Sequence, residues 1–138
     1  MPYFKDAEDV YAHLGRLFED IIADEDLGQR FKGADTIIQI RMRRPDSQVT
    51  LKALEGEDLV VDFGVTELRP EVVLAMDADT AHRFWLGKVN VTVALARGQI
   101  SARGPVAKIL KLVPLVDPVR GRYESRLQDA GREDLAKV

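Results

Sequence analysis

Apolar residues recur at helical spacing near the start of the chain: Val10, Leu14, Leu17, Phe18, Ile21 and Ile22. That is the signature of one face of an amphipathic helix. Asp6 stands where an N-cap would, with Asp9 three residues on, so a helix over about 7–23 is expected. Asp24-Glu25-Asp26 breaks it and starts a short second turn carrying Leu27 and Phe31, closed by Gly33. The pattern then becomes strictly alternating. Ile38, Ile40 and Met42 alternate with Gln39, Arg41 and Arg43; Val49, Leu51 and Ala53 follow, then Leu59, Val61 and Phe63, then Val72, Leu74 and Met76. Polar turns at 44–47 and 55–58 and a loop through Arg69-Pro70 separate these runs. Four half-buried strands in an antiparallel meander are expected, with one oily face that helices must cover.

The second half mixes short periods. Asp77 or Asp79 can cap a helix carrying Ala81, Phe84 and Trp85 that ends at Gly87. Val89, Val91, Val93 and Leu95 alternate like a strand, yet Val91, Ala94 and Leu95 also fit a short helix capped by Asn90 and ended by Gly98. Periodicity does not choose between the two. Gln99 to Arg103 suits a last strand. Pro105 and Asp117-Pro118 each open a helix, since proline loses nothing in a first turn. The first of these carries Ile109, Leu110, Leu112 and Val113; the second carries Val119, Tyr123 and Leu127, with Gly131 beyond it. Residues 129–138 are expected to fray.

At 138 residues, 46% of them apolar and 31% charged, the chain suits a single globular domain over 1–138. It has no cysteine, which excludes a disulfide framework, thiolate metal sites and a cysteine nucleophile. No run approaches the ~20 apolar residues of a membrane span. The N-terminus lacks a signal-peptide core and Asp-Leu-Ala-Lys-Val at the C-terminus is no peroxisomal address, so a cytoplasmic location is expected. Charge is unevenly spread. Residues 1–35 hold nine acids and four bases, whereas residues 80–128 hold two acids and nine bases. Either the two parts face each other in the fold, or the basic part meets an anionic membrane or partner. Dispersed bases, few aromatics and no binding motif speak against nucleic acid.

Candidate chemistry is sparse. His13 lies on the polar side of the first helix and His82 has no patterned partner. The acid pairs Asp24/Asp26 and Asp77/Asp79 fall in caps or turns. No serine elbow, phosphate-binding glycine loop or metal-ligand spacing occurs. Neither catalysis nor a metal or cofactor is therefore expected. The stretch from Ala81 to Leu115 is instead densely apolar and free of carboxylates. Phe84 and Trp85 are either plain core anchors or the wall of a ligand chamber shared with Val91, Leu95, Ile109, Leu110 and Val113. The Pro-bent run Leu112, Val113, Leu115 and Val116 packs poorly and could form its mouth.

The order of these elements resembles the sterol carrier protein type 2 family. The residues that carry the likeness are Asp-Ala-Asp-Thr-Ala-His-Arg-Phe-Trp-Leu-Gly-Lys over 77–88, Ala-Leu-Ala-Arg-Gly-Gln-Ile over 94–100, and Arg103-Gly104 with the helix after it. The likeness spans about residues 5–127 and is nearer to bacterial single-domain members than to animal carriers. It implies an α+β fold: a five-stranded, mostly antiparallel sheet with helices packed on one face and an apolar tunnel between them. It favours the helical reading of 90–97. It implies non-catalytic binding, or intracellular transfer, of a lipid, fatty acyl or sterol-like molecule. Transient contact with anionic membrane and a homodimer remain open. Related folds also serve as accessory domains, so a protein-interaction module with a filled core is the alternative; an enzyme using His82 with a nearby acid is a third.

Overall fold

The computed structural model describes residues 2–138. Its first helix forms where the apolar period places it, but with an interruption. α1 (Ala7–Val10) starts at Asp6, whose side chain accepts a hydrogen bond from the Asp9 amide at 2.8 Å. The chain continues through a π-helical turn, Tyr11–Gly15, into α2 (Arg16–Ala23). Gly15 leaves room in that turn for the Phe63 ring, whose tip would lie 2.9 Å from a Cβ there. Phe63 also stacks on Tyr11, with ring centres 5.4 Å apart. α3 (Glu25–Lys32) is capped by Asp24, which accepts from the Leu27 amide at 2.9 Å.

β1 (Thr36–Arg43), β2 (Ser47–Ala53), β3 (Val60–Phe63), β4 (Val72–Asp77) and β5 (Ser101–Arg103) make one sheet in the order β3-β2-β1-β4-β5. This corrects the expected four-strand meander. Only β1, β2 and β3 form one; β4 leaves β3, crosses the sheet and lies parallel to β1, Ile38 facing Val72 and Met42 facing Met76. β5 then pairs antiparallel with β4. Burial accounts for the difference. Val72, Leu74 and Met76 are at most 9% exposed and gain cover from neighbours on both sides, whereas the four half-buried residues of β3 suit a short edge. The crossover, residues 64–71, can reach ~26 Å; three inter-strand spacings need only ~14 Å.

Alternation gives the sheet two unlike faces. Ile38, Ile40, Leu51, Leu74 and Met76 point to the helices. Behind them Gln39 donates to Thr50 at 3.0 Å and accepts from Arg41 at 2.6 Å. The crossover starts on this polar face, where Thr66 donates to Asp62, the register partner of Thr50.

α4 (Ala78–Trp85) follows β4 directly. The ambiguous segment is a helix, α5 (Val91–Ala96): Asn90 accepts from the Val93 amide at 3.1 Å, and Gly98 stops it with φ +74°. Pro105 precedes α6 (Val106–Leu110) as its cap. A 3-10 turn, Val113–Leu115, leads into α7 (Val116–Asp129). The tail does not fray as expected. It forms α8 (Glu133–Ala136), and Leu135 is 2% exposed because the tail folds back over α4.

Oppositely charged helices meet. Arg126 and Arg122 of α7 pair with Asp20 and Asp24, and Arg132 lies 3.5 Å from Asp9. Each of these water-exposed pairs adds little stability by itself; together they orient α7 on the N-terminal helices. The apolar stripe Val119, Tyr123 and Leu127 beneath, fully buried, supplies more, ~1.5–3 kcal/mol per large side chain.

Candidate functional site

Between the sheet and the helices lies a cavity of about 40 Å³ lined only by apolar side chains. The sheet supplies its floor through Ile38, Ile40, Leu51, Leu74 and Met76. Phe18 and Phe31 close one side, from α2 and α3; Ala81, Phe84 and Trp85 close another, from α4. Trp85 is 5% exposed and meets Phe18 edge-on, with ring centres 5.5 Å apart. Val91, Ile100, Ile109, Leu112 and Val113 complete the wall.

Six of the ten residues expected at a chamber wall therefore lie on one: Phe84, Trp85, Val91, Ile109, Leu112 and Val113. Four do not. Leu110 is 48% exposed, since one residue beyond the inward Ile109 rotates a side chain to the other side of a helix. Leu95 packs on the core away from the cavity. Leu115 and Val116 are buried in the core at the start of α7, off the wall. The floor and the residues from α2 and α3 were legible as buried positions. That they border a gap depends on how the elements meet.

Volume limits what the cavity can hold in this conformation. A water in the liquid occupies ~30 Å³ and needs 2–4 polar partners in a cavity. The space is thus far smaller than an acyl chain and unsuited to water. α6 is held over the cavity by Ile109, which is buried, and by Lys108, which donates to Glu71 at 2.9 Å and to the Asp35 carbonyl at 2.8 Å.

His82 is 0% exposed and away from the cavity wall. Its Nε2 lies 2.8 Å from the Leu135 carbonyl and its Nδ1 2.6 Å from the Tyr123 hydroxyl. A carbonyl only accepts, so the proton sits on Nε2 and Nδ1 accepts from Tyr123. Tyr3, Phe4 and Tyr123 surround the ring with centres 5.3–5.4 Å away. Burial pushes its pKa down, opposed by the Leu135 carbonyl, and burial pushes the Tyr123 pKa up. Both nitrogens are committed to structure. His13 stands 3.5 Å from Asp9, its pKa also lowered by burial.

The acid pairs have local duties. Asp24 caps α3 and meets Arg122; its pKa is held down first by the Leu27 amide. Asp77 sits between Arg44 and Arg43, which hold its carboxyl below the usual range. Asp79 accepts from the Tyr3 amide at 2.9 Å, and Asp26 pairs with Arg30. Among the described residues no cluster of three or more His, Asp or Glu side chains could hold a metal, and no helix is long and apolar enough to cross a membrane.

No protein-family model matches the chain and no curated protein matches it. Solved structures do. The sterol carrier protein domain 2 of Helicoverpa armigera is 21% identical with TM-score 0.66, covering 86% of this chain and 94% of that one. Apo sterol carrier protein 2 from Yarrowia lipolytica is 17% identical with TM-score 0.63, covering 76% and 88%. Palmitated SCP2L2 from Aedes aegypti is 21% identical with TM-score 0.56, covering 78% and 93%. The five-stranded mixed sheet, its helical cover and these likenesses together assign the chain the sterol carrier protein 2-like fold.

Proposed function

We propose that the protein binds a lipid, fatty acyl or sterol-like molecule in the cavity between sheet and helices, without catalysis, and carries it within the cytoplasm. The observation behind this reading is the wall itself, an unbroken apolar lining drawn from the sheet, α2, α3, α4, α5 and α6. The fold supports it, and one structure of that fold is described as palmitated. To admit a chain, α6 and the 3-10 turn must part from the sheet. Each buried methylene returns ~0.8 kcal/mol, so about ten carbons offset the opening and the loss of ligand freedom at micromolar affinity. The bases of residues 80–128 would favour anionic membranes during transfer.

The small volume favours a second reading, an interaction or accessory module with a filled core. Trp85 separates the two. Fluorescence of this single tryptophan, on the wall, is expected to be quenched saturably by a spin-labelled or anthroyloxy fatty acid. Ala81→Leu, which fills wall space, should weaken that binding at least tenfold while the circular dichroism stays native. No saturable response to acyl or sterol probes would sink the lipid reading.

A further inference from the structure

A second concavity, polar and basic, lies on the far side of α4 and α5 from the apolar cavity. It measures about 420 Å³. The two helices separate their side chains by period: Ala81, Phe84 and Trp85 face the apolar cavity, while Thr80 and Arg83 face this groove. Likewise Val91 turns inward, and Val93 and Arg97 turn out. The ends of β1 and β4 add Arg43 and Asp77, and the turn after Gly87 adds Lys88.

Four bases thus surround one carboxylate, and Asp77 is already shared by Arg43 and Arg44. Arg83 and Arg97 meet no carboxylate among the described residues, and Lys88 donates to the main-chain oxygen of Val138, the last residue. Three other bases of the same stretch are answered elsewhere, Arg122 by Asp24, Arg126 by Asp20 and Lys108 by Glu71, while Arg103, Lys111 and Arg120 lie outside this groove. Neutral amides join the bases of the groove. Asn90, whose carbonyl oxygen accepts from the Val93 amide, and Gln99 both line the groove. Like charges gathered around a single carboxylate still repel one another, and an anion relieves that repulsion. Guanidinium groups flanked by amide donors match the several oxygens of a phosphate better than the two of a carboxylate.

We propose that this groove is a binding site for a phosphate-bearing anion, built from Arg43, Arg83, Lys88 and Arg97. It requires nothing of the apolar cavity. The anion can be a free phosphate compound or the head group of a phospholipid, and the two sources separate experimentally. Calorimetric titration with pyrophosphate is expected to saturate, and to weaken at least tenfold in Arg83→Ala/Arg97→Ala. A charge-matched variant elsewhere, Arg16→Ala/Arg30→Ala, should bind as the parent does. In parallel, vesicles containing phosphatidic acid are compared with phosphatidylcholine vesicles. Loss of phosphatidic acid binding in the groove variant alone, with pyrophosphate silent, supports the site and assigns it to head groups. Absence of binding to both probes, or equal weakening in the two double variants, overturns it. The fatty acid titration monitored at Trp85 is run on the same variants; because these side chains are exposed and off the cavity wall, failure there bears on the lipid reading and not on this one.

Discussion

The Leu135 carbonyl decides where the proton of His82 sits, and Tyr123 donates to the nitrogen left bare, so the ring fastens α4 to α7 and to α8. Tyr123→Phe removes one donor and leaves Nδ1 buried and unpaired, which costs ~1–3 kcal/mol. Thermal unfolding should report that loss, and nitrogen-15 spectra of the parent should show a ring protonated at Nε2 that stays neutral to below its ordinary pKa of 6.5. A ring that titrates at or above 6.5 would contradict the assignment. At this scale the sequence was a partial guide. The stripe containing Tyr123 was legible from helical spacing, but its partner lies 41 residues away and Leu135 lies 53 away from His82, beyond the reach of any local pattern.

Elements were read best where caps and stops agreed with period. α3, bracketed by Asp24 and Gly33, and α5, bracketed by Asn90 and Gly98, follow that rule. The place of β4 was not legible, because alternation tells which face a strand buries and nothing about its neighbour. Its position depends instead on close approach elsewhere. Gly104 has φ +97°, and a Cβ there would fall 2.2 Å from the carbonyl oxygen of Glu71, at the entry to β4. Gly104→Ala is therefore expected to destabilise by ~3 kcal/mol or more, combining left-handed strain with a backbone collision. Gly121, inside α7 with nothing within 4 Å, should behave oppositely. Gly121→Ala gains ~0.5–1 kcal/mol of helix propensity. Chemical denaturation of both variants tests the contrast, and equal signs would refute it.

For the whole molecule, acid is the revealing variable. His13 and His82 have pKa values lowered from 6.5 in the folded protein, so the unfolded chain binds protons there that the folded chain refuses. Stability is full above 6.5 and falls as the pH drops below it, by up to ~1.4 kcal/mol per pH unit for each proton. Asp24 and Asp77, lowered from 3.8, and Glu71, lowered from 4.5 by Lys108 and Thr36, add a second decline below those values. Melting temperatures at constant ionic strength should show both steps. A flat profile between pH 7 and 5 would mean the histidines are not held neutral. The fold class and its helical cover were readable from sequence because order and period specify layers. The cavity was readable only as a surplus of apolar side chains, since a gap is set by their fit.

The parallel pairing of β4 with β1 has a kinetic consequence. β1, β2 and β3 are joined by short turns and can assemble from neighbouring chain, while β4 must wait for a distant loop to close. Until it docks, β1 presents the bare hydrogen-bonding rim of an isoleucine-rich ribbon, Ile37 to Met42, to whatever strand arrives first. A second nascent molecule can occupy that rim as readily as the rightful segment, so whatever delays the crossover turns folding into self-association.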